Sequence, residues 1–250
     1  MSTENAKKTK TLATMPRSVK LLWGVAERGS RGPKSTLSAE RIARAAIRVA
    51  DAEGLDAVSM QRIAREIHLT TMALYRYFPG KTALIDLMIE TAGGPVPGLG
   101  REARGWRSRL KDWTRSCSAI YQNHPWFLQA TSARRRILGP NELAWLDAAV
   151  GLLSASGLSA REAHQAFLVL IGHVRSHAEF TGSGGQGLPA KQWVSVTAKL
   201  LEQHSGQFPA LAAAIKSGLF GSGTANSLDF GIECILDGIE SLVARRRRPC

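Results

Sequence analysis

Sulfur is scarce in this chain: Cys117, Cys234 and Cys250 are its only cysteines, odd in number and far apart. That spacing argues against a disulfide framework or a cysteine zinc site and points to reduced thiols in cytoplasm. Long apolar runs are also missing. No stretch of about 18 apolar residues occurs, so nothing reads as a membrane span, and the N-terminal residues hold no apolar signal core, so secretion is not expected. Catalytic constellations are absent as well: no Ser-His-Asp, Cys-His or paired-carboxylate arrangement stands out, so an enzyme is not expected. Acidic excess is lacking too. The 250 residues carry 33 Lys/Arg against 20 Asp/Glu, a net charge of +13. A balance of that sign favours phosphate-rich or anionic surfaces as partners.

The hydrophobic content of 44% suits a soluble chain with a sizeable core in one or two domains. Charge is spread unevenly. Residues 1–81 hold 15 Lys/Arg against 7 Asp/Glu, while residues 82–250 hold 18 against 13. The basic excess therefore gathers around one stretch, Ser59 to Lys81.

That stretch reads as two short helices and a tight turn. Met60, Ile63, Ala64 and Ile67 follow the i, i+3, i+4, i+7 spacing of one apolar helix face. Ser59 is a suitable N-cap, and the break falls at His68-Leu69. Thr70 then caps a second helix over Thr71 to Phe78, with Leu74 and Phe78 inward and Pro79-Gly80 as its stop. The outward side carries Thr71, Met72, Ala73, Tyr75, Arg76 and Tyr77, a set of small groups, hydroxyls and one cation. It suits insertion into a DNA major groove, which is wide enough for one helix. An ordinary antiparallel helix pair with a solvated face has the same pattern.

Upstream, residues 1–37 form a basic stretch without apolar period, Lys7, Lys8, Lys10, Arg17, Lys20, Arg28, Arg31 and Lys34 against Glu4 and Glu27. It reads as a flexible arm that follows phosphates or enters a minor groove, or as a solubilising tail. Leu21-Leu22-Trp23 interrupts it and is a candidate to pack back on the domain. Ser38 opens a helix with the stripe Ile42, Ala45, Ala46, Val49 and Ala50, ended by Gly54. A further helix from Lys81 carries Leu84, Ile85, Leu87 and Met88 and stops at Gly93-Gly94-Pro95.

Ser38 to Ala92 resembles the DNA-binding domain of the tetracycline-repressor (TetR/AcrR) family of bacterial transcription regulators. The residues that carry the likeness are Ala50-Asp51-Ala52-Glu53-Gly54-Leu55, Ser59-Met60 with Ile63-Ala64 and Ile67, Met72 to Phe78, and Gly80-Lys81 with Leu84 and Leu87. Residues 100–245 resemble more loosely the ligand-binding, dimerising half of that family, in its tetracycline-repressor-like branch. The resemblance implies a recognition helix from Thr70 to Phe78. It places Gln61, Thr71, Met72 and Ala73 at base edges and Tyr75, Tyr77 and Lys81 at phosphates, with Arg76 open between the two. The chemistry agrees, since Gln can bond adenine in bidentate fashion and Thr or Ala methyls can touch thymine. One departure stands out: the family usually has Gly in the turn where this chain has His68.

The second half has helical period nearly throughout, in segments from Trp106, His124, Glu142, Ser159, Trp193 and Leu228. The last two long segments, Ser159 to Phe180 and Leu228 to Val243, suit a four-helix bundle in a dimer, although such stripes also serve plain intrachain core. Trp113, His124, Trp126, Phe127, His164, His173, His177 and Phe180 are candidates to line a small-molecule pocket. His173 and His177 stand i, i+4, but no third ligand is indicated, so no metal or other cofactor is expected. Gly182 to Gly187 formally fits GxGxxG, yet no strand precedes it, and it reads as a linker. Arg245 to Arg248 reads as cations closing a helix.

The sequence thus predicts an all-α fold: an arm over 1–37, a three-helix helix-turn-helix domain over 38–92, and a larger helical ligand-binding and dimerisation domain over 100–245. The expected function is a cytoplasmic, ligand-responsive repressor. It would bind a palindromic double-stranded operator as a homodimer, with a small-molecule effector and no membrane partner. The alternatives are a DNA-coating protein without sequence preference and, less favoured, an enzyme using the helical pocket.

Overall fold

The computed structural model describes residues 15–25, 38–98, 105–132, 138–181, 190–218 and 227–247. Helices account for all regular structure among them, and no strand occurs. The GxGxxG stretch and Arg248 lie outside the described residues. Two units form, divided inside two helices: the described residues up to 98 with Ala119–Gly151, and residues 105–118 with those from Leu152 onward.

The first unit is assembled from short capped helices. Within the stretch read as an arm, α1 (Arg17–Leu22) buries Val19 and Leu22, so the Leu21-Leu22-Trp23 interruption marks an ordered segment. α2 (Ala39–Glu53) starts where the Ser38 side chain accepts from the Arg41 N–H, and it buries the expected Ile42, Ala45, Ala46, Val49 and Ala50 with Ala43 and Ile47. Gly54 ends it at φ 85°, a backbone that a side chain would strain. A 3₁₀ turn, Leu55–Ala57, leads to α3 (Met60–Glu66) and α4 (Thr71–Tyr75), and then to α5 (Lys81–Gly93). α2 packs on α5 and α3, and α1 packs on α5. Ile42, Ile63, Leu74, Phe78, Leu84, Met88 and Ile89 are fully buried, each contributing about 1.5–3 kcal/mol relative to exposure.

Later segments complete this unit: the end of α6 (Trp106–Asn123), then α7 (Trp126–Thr131) and the first part of α8 (Pro140–Ala155). Two carboxylates tie them down. Asp51 Oδ1 accepts from the Trp126 indole at 2.7 Å and stands 2.8 Å from His124 Nδ1. Buried Glu90 accepts from the Asn141 N–H at 2.7 Å and the Glu142 N–H at 3.4 Å, capping the start of α8. A Cβ at Gly139 would run into the Glu90 carboxylate, which would have to shift to admit a side chain there.

The second unit contains the rest of α6 and α8, then α9 (Ala160–Thr181), α10 (Ala190–Gln203), α11 (Pro209–Lys216) and α12 (Ser227–Arg247). α9 and α12 pack along each other, with Ala163, Leu170, Val174, Ile232, Leu236, Ile239 and Val243 buried. Charged rows set the register of α6 on α12. Arg107 reaches Glu233 at 2.6 Å, Asp237 at 2.5 Å and Glu240 at 3.1 Å, Lys111 also pairs with Glu233, and Arg115 meets Asp229 at 2.9 Å. Burial works against the Arg107 charge, but the three carboxylates outweigh it and raise its pKa. Such part-exposed pairs are each worth about 0–1 kcal/mol, so they specify alignment more than stability. Among the described residues no single helix is long and apolar enough to cross a membrane.

Candidate nucleic-acid interface

Two hydroxyl caps and two buried anchors build the helix-turn-helix. Ser59 Oγ accepts from the Arg62 N–H at 3.1 Å, and Thr70 Oγ1 from the Ala73 N–H at 3.2 Å. Each satisfies one orphan donor of a first turn. Leu74 and Phe78 point inward with no exposure, so the residues between and before them are pinned facing outward.

The turn joining α3 and α4 contains the only positive-φ residue other than glycine among the described residues, His68 at φ 56°. The left-handed conformation that Gly fills elsewhere is therefore adopted by His, which tolerates it better than a β-branched residue. Leu69 N–H closes the turn on Ala64 O at 2.8 Å.

α4 is shorter than the sequence pattern suggests. Its helix ends at Tyr75 rather than Phe78. Beyond it the Tyr77 and Phe78 N–H groups both bond Leu74 O at 2.9 Å, a tightening turn. Pro79 disfavours helical backbone in the residue before it, which accounts for the early end. The Arg17 guanidinium of α1 donates to the Arg76 carbonyl, holding that end in place. Sequence spacing gives no sign of this contact, because its partners are 59 residues apart.

The surface so displayed is uncovered. Met72 is 75% and Tyr75 45% exposed, and Gln61, Thr70, Arg76 and Lys81 are exposed, with Thr71, Ala73 and Tyr77 half-buried. Gln61 lies on the outer face of α3, and Lys81 begins α5. Nearby acid is offset in part: Arg62 pairs with both Glu53 and Glu66, each at 2.7 Å. Its hydrogen bond to Glu66 holds that carboxyl below the usual carboxylate range. Repulsion toward a phosphate is reduced accordingly.

The pocket candidates divide between the units. In the first, Trp126 and Phe127 are buried and His124 is half-buried, with Trp126 and His124 on Asp51 and Phe127 edge-on to Tyr121 at 5.4 Å. In the second, Phe167 joins two of them, edge-on to buried Trp113 at 6.0 Å and tilted against His164 at 6.3 Å. The His173 ring bonds the Leu228 carbonyl at 3.0 Å and occupies the space a Cβ at Gly231 would need. Burial, then the charge of His173, lowers the pKa of His177, whose Nδ1 is buried without a partner. Phe180 is 69% exposed. No group of three His, Cys, Asp or Glu suited to a metal occurs among the described residues. The Cys117 thiol is buried, which pushes its pKa up.

Residues 42–88 match the family described as bacterial regulatory proteins, tetR family, and residues 99–243 match the tetracyclin repressor-like C-terminal domain. Over 241 residues the chain is 37% identical to the HTH-type transcriptional repressor DrrR1 of Streptomyces coeruleorubidus, covering 92% of this chain and 87% of that one. The apo structure of ActR from Streptomyces coelicolor superposes with a TM-score of 0.70 at 25% identity, over 86% of this chain and all of ActR. The structure of ActR in complex with actinorhodin superposes with a TM-score of 0.67 at 25% identity, over 82% of this chain and 96% of that one. The capped α3–α4 pair, its outward surface and these matches agree: the chain belongs to the TetR family of DNA-binding transcriptional regulators.

Proposed function

We propose that the protein is a cytoplasmic repressor that binds a palindromic operator as a homodimer and releases it when a small effector occupies the second unit. The observation that carries this reading is the outward α4 segment, held by Leu74 and Phe78 with its polar side uncovered. Gln61, Thr71, Met72 and Ala73 are assigned to base edges, where amide and methyl groups discriminate between bases. Tyr75, Tyr77 and Lys81 are assigned to phosphates, with Thr70 fixing the approach of the helix and Arg76 beside them. Repression is supported by the relative DrrR1, named a repressor. Effector control is supported by ActR, whose structure with actinorhodin has this fold.

Dimerisation is supported by apolar surface left uncovered on the long helices: Leu168 and Val169 on α9 and Phe230 on α12 are each more than half exposed. A two-fold dimer would set two α4 segments roughly 34–36 Å apart for one turn of duplex. Trp113, His164, His173, His177 and Phe180 are the proposed effector contacts. For His124 and Trp126 the bonds to Asp51, and for Phe127 its edge-on contact with Tyr121, support a role in holding the DNA-binding helices.

A gel-shift titration on duplexes selected from a random library tests the reading. Preference for one two-fold symmetric sequence is expected, and equal affinity for every duplex would replace it with the coating protein. A thermal-shift screen of metabolites and antibiotics then identifies the effector, since a ligand that favours one state by a few kcal/mol is enough to release DNA.

A further inference from the structure

Beside the α3–α4 turn lies a cleft of about 430 Å³ whose walls are unusually basic. One wall is the outer face of α2, where Arg41, Arg44 and Arg48 recur at i, i+3 and i+7 above Ala45. The other is the stretch Glu66 to Leu69, which includes left-handed His68. All three arginines and His68 are exposed. Their local neutralisation is partial. Arg44 meets Glu40 at 2.5 Å, and Arg48 has a 3.4 Å bond to the Arg44 carbonyl. The acid in the cleft, Glu66, is engaged by Arg62 at 2.7 Å. Three exposed guanidiniums on one helix face match a line of phosphates.

Two features place this row next to the proposed DNA-facing surface. His68 and Leu69 lead directly into Thr70, the cap of α4. Gln61 and Arg65 are both exposed and stand i, i+4 on one face of α3, whose last residue, Glu66, lines the cleft.

We propose that Arg41, Arg44 and Arg48 form a second phosphate-binding strip, gripping the operator backbone beside the groove that α4 enters. The strip rests on the DNA-binding reading above and adds affinity without sequence information, because phosphates are the same at every base pair. It gives a use to a row of like charges along one helix, an arrangement that costs stability when no anion is present.

The test uses the full-length protein and the duplex it selects from a randomised library, with log affinity measured against log salt concentration. Wild type is compared with a triple Arg41→Gln, Arg44→Gln, Arg48→Gln variant and with the triple Arg→Lys variant, each checked for unchanged helical circular dichroism. The Gln variant should flatten the slope by about 0.9 per lost phosphate contact, hence by roughly two to three per chain. It should weaken selected and random duplexes by the same factor, while the Lys variant keeps most of the slope. If the Gln triple misfolds, the single Arg48→Gln variant carries the test, with an expected slope change of about one. A folded Gln variant with the wild-type slope overturns the strip and leaves the regulator reading intact. Wild type that prefers no sequence overturns the regulator reading and the strip with it.

Discussion

α4 and the α9–α12 pair use apolar residues in opposite ways. α4 has five residues and two fully buried anchors in and just after it, Leu74 and Phe78, and the rest of its surface faces out. α9 has 22 residues and α12 has 21. These long helices bury part of their apolar content and leave Leu168, Val169, Phe180 and Phe230 uncovered. In the short region Leu74 and Phe78 are covered, and what remains outside mixes hydroxyls and a cation with the thioether of Met72 and the ring of Tyr75. In the long region the surplus outside is apolar, the kind of surface that the proposed second copy would cover. The short region is thus fitted to DNA and the long one to the proposed dimer partner.

The contrast can be broken first at its anchors. Phe78→Ala should cost about 3–5 kcal/mol, since a fully buried ring leaves a cavity, and thermal unfolding followed by circular dichroism should register it as a large drop in Tm. Outward residues should behave in the reverse manner. Gln61→Ala and Tyr75→Ala should each weaken operator binding by about 1–3 kcal/mol and leave Tm near wild type; a Tyr75→Ala protein with full affinity would remove that ring from the contact surface. A smaller effect is expected at the cap, where Thr70→Ala should lower stability by about 1 kcal/mol, checked by urea denaturation.

The smallest effect concerns α9 and α12. Arg246 pairs with Glu162, and Ser159 adds hydrogen bonds to the same carboxylate, which together hold Glu162 at about 2 against a usual 4.5. A depressed carboxylate contributes its stability fully above its unfolded value and loses it as the pH falls through the folded one. The stability difference between wild type and Arg246→Ala should therefore be constant above pH about 4.5 and vanish toward pH about 2, read from acid-unfolding curves. Arg246 is exposed and Glu162 only partly covered, so screening keeps this difference small.

Legibility follows the same divide. Capped short helices announce themselves: Ser38, Ser59 and Thr70 all accept from the N–H three residues on, as their side chains and spacing suggest. The stripe of α2 and the inward Leu74 and Phe78 were equally visible, because a 3.6-residue period with one buried face leaves few alternatives. The family resemblance marks His68 only as a departure from the usual Gly, and the structure gives it the left-handed backbone all the same.

Other features were invisible from spacing. α1 and α11 have only six and eight residues, so neither gives a period to read. In α8, Leu143 is exposed while Ala149, Leu152 and Leu153 are buried, because a helix apolar nearly all round does not reveal which face is covered. Long-range polar bonds escape altogether. Asp51 with His124 and Trp126, Glu90 with Asn141, and Arg17 with Arg76 join residues that only tertiary folding brings together. The acidic row Asp229, Glu233, Asp237 and Glu240 did leave a sign, an i, i+4, i+8, i+11 pattern facing Arg107, Lys111 and Arg115.

The most direct test of the central claim is selection of duplexes from a random library by wild type and by an Ala73→Gln variant, with sequencing of what is bound. If α4 lies in the major groove, wild type enriches a two-fold symmetric sequence, and the longer amide at position 73 changes the preferred base at one position in each half-site. Enrichment of the same sequence by both proteins, or of no sequence by either, would contradict it.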